Sequence, residues 1–392
     1  MRMISLWRVL SLSVCAGMLL LLTTGCWDRR EINDVAFVLA SAIDREGDHI
    51  RVSVLIPLPG NMGSSGGGGG SGGQKPFSIK TETGQTIREA VSKLQFRLPR
   101  HLFFGHRRVI IIGEELARTE GVSSVIDAIT RTPENRLTAF IAISKGKALD
   151  VLNADTRLER FSAESMRELL QSEASVRVSV KDVTSQIIAV GEDAFFPYVE
   201  KVKTKIKGVE AEDVLIEGFV LTHDGKMTGV AKGDSAIGIR LLNQHFRKYD
   251  ETINDEGNYI TVAINQATVD IKPEIRNGQI TFRIHSMVKA SVNEDRNLER
   301  NYDDYAQRKQ IEDMVATRVV QNINKALDNM QRSNSDAAGF GLRIYRAYPQ
   351  VWTKQYRKDW VTIFPQVKFE VTATANLFRL GMSSENLGRK DD

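Results

Sequence analysis

A chain of 392 residues is long enough for two or three domains with their own cores, and its formal net charge of +4 becomes +2 once Arg2 and Arg8 are set aside. With both signs interspersed, that balance gives no case for a nucleic-acid binder, which would want a clustered basic face. The only cysteines are Cys15 and Cys26, so no thiol beyond position 26 remains for an intrachain disulfide or a metal site.

The first segment reads as an export signal. Arg2 and Arg8 form a basic start, and residues 10–22 are almost unbroken apolar sequence ending in Leu19-Leu20-Leu21-Leu22. That run is shorter than the roughly 20 residues a membrane-crossing helix needs, so residues 1–25 are expected to be a signal peptide. Thr23-Thr24-Gly25-Cys26 follows, with a small residue directly before the cysteine, as at a bacterial lipoprotein cleavage site. Cys26 is therefore the expected lipidation site. Two acyl chains, each CH2 contributing about 0.8 kcal/mol, would hold the body stably on a membrane's outer face. Trp27 suits the headgroup level. Thr23 departs from the usual pattern, which has leucine three residues before the cysteine.

Residues 35–42 and 50–56 read as strands around the polar turn 44–48, and residues 60–74 as a Gly/Ser loop inserted between two strands of one sheet. Residues 77–81 resume that sheet. Thr86 and Glu89 are spaced as a capping box for a helix with Ile87, Ala90, Val91 and Leu94 on one face. Residues 109–112 are a wholly apolar strand flanked by Arg107 and Arg108, followed by helices at 114–117 and 122–129. Residues 137–143 read as a strand buried on both faces. A helical segment at 160–195 has Met166, Leu169 and Leu170 inward on one helix, and Val180, Val183 and Ile187 inward on the next. Residues 26–200 thus form a mixed α/β region.

The composition then shifts to long strands. Residues 201–207 alternate lysine with Val, Thr and Ile, as at a solvent edge. Residues 214–221 and 227–230 form a hairpin around Asp224-Gly225, and 259–271 and 279–292 a second around Asn277-Gly278. Ile311, Val315, Val319, Ile323, Ala326 and Met330 make the stripe of one long helix. A last strand covers 366–377, so residues 201–385 are expected to form a C-terminal α+β domain, an antiparallel sheet with a long packed helix, followed by a disordered tail at 386–392. The whole is α+β and multi-domain.

No catalytic constellation is evident. The six histidines form no His-Glu-x-x-His pattern, no nucleophile elbow occurs, and the adjacent acids Glu192-Asp193, Glu212-Asp213 and Asp303-Asp304 point apart along their elements. His101 and His106 bracket the apolar Leu102-Phe103-Phe104-Gly105 and read as polar caps on a packed loop. Between 344 and 365 the rings Tyr345, Tyr348, Trp352, Tyr356, Trp360 and Phe364 interleave with Arg346, Arg357 and Lys358, a composition that suits either a core or a binding surface.

Three stretches carry a family resemblance: Gly25-Cys26-Trp27-Asp28-Arg29-Arg30-Glu31-Ile32-Asn33; Phe104-Gly105-His106 with 109–112 and Gly113-Glu114-Glu115-Leu116-Ala117; and Gly339-Phe340-Gly341 with Tyr348-Pro349, Trp352 and Trp360. Together they resemble the Ger(x)C family, the C-subunit lipoproteins of spore germinant receptors. The resemblance implies a protein without catalytic site or cofactor, lipid-anchored at Cys26 on the outer surface of the spore inner membrane. It also implies assembly with polytopic A-type and B-type receptor subunits. Trp27, Asp28, Arg30, Glu31, Tyr348, Trp352 and Trp360 are the residues expected to face those partners. Direct binding of a small-molecule germinant is the alternative, and would need a deep pocket with convergent polar groups. A wall-active hydrolase would need an acid and base pair, which the sequence does not offer.

Overall fold

The computed structural model describes residues 2–22, 31–58, 60, 75–155, 159–206, 209–243, 246–297 and 299–379. Cys26, Trp27, Asp28 and Arg30, the loop at 61–74 and the tail at 386–392 lie outside them. The chain begins with a helix, α1 (Arg2–Leu22), which extends through the basic start as well as the apolar run. Among the described residues no helix is long and apolar enough to cross a membrane.

A short strand, β1 (Val35–Phe37), comes next and pairs in parallel with β5 (His101–Phe103) as a two-stranded ribbon. The first large sheet has eight strands. Its centre is β2 (Ala40–Glu46), β6 (Val109–Gly113), β7 (Phe140–Ser144) and β8 (Phe195–Ile206), joined by parallel pairings. One wing adds β3 (His49–Pro57) and β4 (Phe77–Gly84), the other β9 (Val209–His223) and β10 (Lys226–Lys232), all antiparallel. β3 and β4 are direct neighbours, so the Gly/Ser segment does join two strands of one sheet.

Helices cover both faces of this sheet, which is why β6 and β7 are apolar at nearly every position. One face carries α2 (Ile87–Phe96), α3 (Glu114–Thr119), α4 (Ser123–Thr130) and, later in the chain, α7 (Val180–Ile188), packed on Ile43, Ile110, Ile112, Ile141 and Ile143. The opposite face carries α5 (Ala148–Leu152) and α6 (Ser162–Gln171), packed on Ala40, Ala42, Val109, Ile111 and Ala142. The region 160–195 is therefore not one helical unit: α6 and α7 sit on opposite sides of the sheet. Ile187, expected inward, is 39% exposed, because the helix ends at Ile188 and Ala189 is already extended.

The caps follow the side chains available. Thr86 Oγ1 accepts the N–H of Glu89 at 3.1 Å, as expected, but the Glu89 carboxylate takes the N–H of Gln85 instead of Thr86. The reciprocal box is complete at Ser179 and Asp182, where the sequence reading named none. Buried Asp44 accepts the N–H groups of Ala148 and Leu149 at 2.6 and 3.0 Å, so a carboxylate from β2 holds the first turn of α5.

The boundary expected at residue 201 falls inside β8, and β8 to β10 continue the first sheet. The lysine-rich part of β8 pairs with β9 on one side only, since β7 reaches no further than Val199. Beyond it lie two elements the sequence reading did not name, α8 (Asp234–Leu242) and β11 (Tyr249–Asp255). β11 pairs antiparallel with β12 (Asn258–Arg276), and β12 with β13 (Gln279–Asp295). Both residues of the β12–β13 turn, Asn277 and Gly278, have positive φ, as a two-residue hairpin requires. The stripe residues of α9 (Tyr305–Arg332) are all buried, and this helix packs on the four-stranded second sheet. Then come α10 (Phe340–Ala347), a run of helical turns from Pro349 to Gln366, and β14 (Lys368–Arg379). The sheet is antiparallel across its first three strands, and β14 closes it in parallel with β13.

Candidate functional site at the junction of the two sheets

The aromatic segment after α10 folds inward. Trp352 is 1% exposed and Trp360 8%, with ring centroids 5.2 Å apart in an edge-to-face contact. Phe364 stacks on Phe340 at 6.1 Å, and Phe340 meets Phe282 of β13 at 4.8 Å. Trp352 and Trp360, expected to face partners, are thus core residues. The buried indole N–H of Trp360 finds its acceptor inside, on Asp336, whereas that of Trp352 has none among the described residues. Tyr348 and its neighbour Tyr345 remain exposed, at 38% and 41%.

Asp336 is the centre of the junction. Its carboxylate accepts from Phe340 N at 2.7 Å, Gly341 N at 2.8 Å and Trp360 Nε1 at 2.9 Å. Burial nevertheless pushes its carboxyl up from the usual 3.8 to about 7, against those three donors, and the nearby Asp193 adds to the rise. Asp193 belongs to the loop leading into β8. Its backbone N–H donates to Asp336 O at 3.0 Å, and its carboxylate accepts from Asp336 N at 2.9 Å. The same carboxylate lies 3.3 Å from His223 Nδ1 at the end of β9, and burial raises its pKa too.

Two glycines let the halves meet. Leu342 N donates to Gly191 O at 2.9 Å, and a Cβ on Gly191, which has φ +70°, would lie 2.8 Å from both Gly341 C and the Trp352 ring. A Cβ on Gly341 would lie 2.7 Å from that ring. Gly341 of the Gly339-Phe340-Gly341 run thus answers to a close contact between distant parts of the chain, while Gly339 supplies a positive φ of +66°.

Beside this junction opens a cleft of about 720 Å³, lined among others by Ile188, Asp193, His223, Trp352, Lys358 and Val361. Asp193 and His223 could hold a proton between them, but among the described residues no hydroxyl hydrogen-bonds to His223, so the pair lacks an activated nucleophile. Exposed Ile187, Ile188 and Val361 next to the cations Arg357 and Lys358 offer apolar and ionic contacts to another chain. Among the described residues no group of three His, Cys, Asp or Glu side chains could hold a metal ion.

Of the other expected residues, Glu31 is exposed and precedes a single 3-10 turn, Ile32–Asp34. His101 and His106 are both exposed, and His106 sits edge-on to Phe37 at 4.9 Å, so this loop packs against β1. Sequence reading missed Asp336 and the Asp193–His223 pair. Nothing local marks them, because residues near 193, 223 and 336 meet only through the tertiary fold.

This architecture is that of a known group of germination proteins. Residues 28–201 match the family described as "Spore germination protein N-terminal domain", and residues 217–381 the one described as "Spore germination B3/ GerAC like, C-terminal". The chain belongs to the Ger(x)C family of spore germination proteins. It is 33% identical to the putative spore germination protein YfkR of Bacillus subtilis (strain 168), over 95% of this chain and 96% of that one. Spore germination protein KC of the same organism is 26% identical, over 94% and 95%. Among solved structures, that of the GerBC protein superposes with a TM-score of 0.54 at 21% identity, covering 86% of this chain and 96% of that one. That likeness supports the fold.

Proposed function

We propose that this chain is a non-enzymatic subunit of a spore germinant receptor, tethered by lipid at Cys26 to the outer face of the spore's membrane and acting through contacts with membrane-embedded partners. The observation that carries this reading is its kinship, along nearly its whole length, with proteins named for spore germination. The cysteine directly after Gly25 at the end of an apolar run supplies the attachment chemistry. A tether confines the folded body to the membrane plane and so raises its effective concentration for partners there. A-type and B-type polytopic subunits are the partners expected for such a protein. Exposed Tyr345 and Tyr348 are contact candidates on this body, together with the Ile188 and Lys358 walls of the cleft.

Mass spectrometry of protein extracted from spore membranes tests the tether. The N-terminal peptide should start at Cys26 and carry a diacylglyceryl thioether. An unmodified thiol there, or residues 1–25 still attached, would overturn it. Spores carrying Cys26→Ala should germinate more slowly in nutrient, and an unchanged rate would remove the tether from the mechanism. Photo-crosslinking from position 348 in intact spores should capture a polytopic membrane protein, and crosslinks confined to soluble proteins would count against the partner assignment.

A further inference from the structure

Arg107 and Arg108 are adjacent in the sequence but serve opposite faces of the first sheet. Arg108 forms an ion pair with Glu164 on α6. Arg107 turns toward the α2 and α4 side and is only 4% exposed. Its Nη2 donates to Asn135 Oδ1 at 2.9 Å, its Nη1 reaches Ser41 Oγ at a long 3.5 Å, and its Nε has no acceptor. The guanidinium also lies 5.2 Å from the centre of the Phe104 ring. Among the described residues no carboxylate is within ion-pairing distance of it. Burial lowers its pKa from 12.5 to about 10, which still leaves it charged at neutral pH. An enclosed cation met only by neutral oxygens is costly to the fold unless an anion completes it.

Beside Arg107 is a cavity of about 340 Å³ between the sheet, α2 and α4. Its wall is otherwise largely apolar, with Ile43, Val52, Ile87, Val91, Phe104 and Ile129. A cavity of roughly 150 Å³ accommodates benzene, so this one has space for a ring or branched chain together with a carboxylate. Of the three arginines lining it, Arg88 and Arg131 are exposed and Arg131 is paired with Asp127, so Arg107 is the enclosed cation and the apolar depth of the cavity matches one negative charge. A purely structural role as a strut between Ser41 and Asn135 accounts for the two terminal nitrogens. It leaves both the unpaired Nε and the adjoining space without a use.

We propose that this cavity binds a small apolar monocarboxylate, with the carboxylate paired to Arg107 and the hydrocarbon part lying among Ile43, Ile87, Val91 and Ile129. Neither the lipid tether nor the receptor partners enter the reasoning, so this site can fail or stand independently of the proposed function.

The test is calorimetric titration of the full chain in detergent with 3-methylbutanoate, 3-phenylpropanoate and octanoate, each beside its neutral amide. At least one carboxylate should bind, with its amide about tenfold weaker or more, as expected for loss of a charged hydrogen bond. Arg107→Met should abolish that preference. It removes a buried unpaired charge, so the variant should fold; its thermal unfolding provides the check. Val91→Phe keeps the arginine but fills the cavity, and it should lose binding as well, which carries the test if the first variant fails to fold. Absence of binding by all three carboxylates overturns the proposal. So does equal binding of carboxylate and amide, or undiminished binding in a folded Arg107→Met or Val91→Phe protein.

Discussion

Asp336 joins three donors from two helical segments while lying wholly out of solvent, and that conflict makes it a pH-sensitive group. Its folded pKa, about 7, is above the ordinary 3.8, so the folded chain holds this proton more tightly than the unfolded chain does. The contribution to stability is therefore complete below the unfolded value and is lost as pH rises through about 7. Thermal unfolding across that window should show the loss in the wild type and a flatter profile in Asp336→Asn. Matching slopes for the two proteins would show that Asp336 titrates normally. Trp360→Phe keeps a ring in place and deletes one donor; denaturant titration should find a loss of about 1.5–3 kcal/mol. The sequence made Trp352 and Trp360 conspicuous, but it did not say which way they point. Alternating rings and cations suit a surface as well as a core, and the acceptor that decides the matter, Asp336, stands unremarkably within Ser335-Asp336-Ala337.

Among the elements, α9 was the most legible. Its apolar positions recur at three and four residues for most of its length, and a helix buried along one face must repeat in that way. Its packing on the C-terminal sheet was legible too, but its other neighbour, α8, was not. Helix α8 is short and carries Gly238 in its middle, which weakens any helical reading from propensity. The structure explains the glycine: a Cβ there would lie 2.1 Å from Asn322 O and 2.6 Å from Ala326 Cβ on α9. Gly238→Ala should therefore destabilise the protein, although alanine is worth up to about 1 kcal/mol more than glycine in an unhindered helix. Ile323→Ala, from the middle of the buried stripe, should cost about 2–5 kcal/mol in denaturant unfolding, whereas exposed Gln321→Ala should stay within about 0.5 kcal/mol. The hairpins around Asp224-Gly225 and Asn277-Gly278 were equally readable, since both residues of each turn have positive φ and these pairs tolerate it.

For the molecule as a whole, composition suggested a division near residue 201, and the sheets divide differently. The charge pattern of β8 changes where its partner β7 stops, and the eight-stranded sheet runs on past that position through β10. The two sheets are also stitched together by Asp193 with Asp336 and by Gly191 with Leu342. Scanning calorimetry of the full chain should give one cooperative transition. Gly191→Ala, which strains a positive φ and pushes the two segments apart, should broaden or split it. A split already present in the wild type would mean that the stitching does not couple the halves.

The parallel pairing of β14 with β13 bears on the order in which the protein can be assembled. Every strand of the eight-stranded sheet has been synthesised by residue 232, whereas β13 must wait with a bare edge through α9, α10 and the aromatic turns before its last neighbour arrives. An interrupted chain ending before Lys368 would present that edge to any similar chain nearby, and truncated products should accumulate as aggregates, not as soluble fragments.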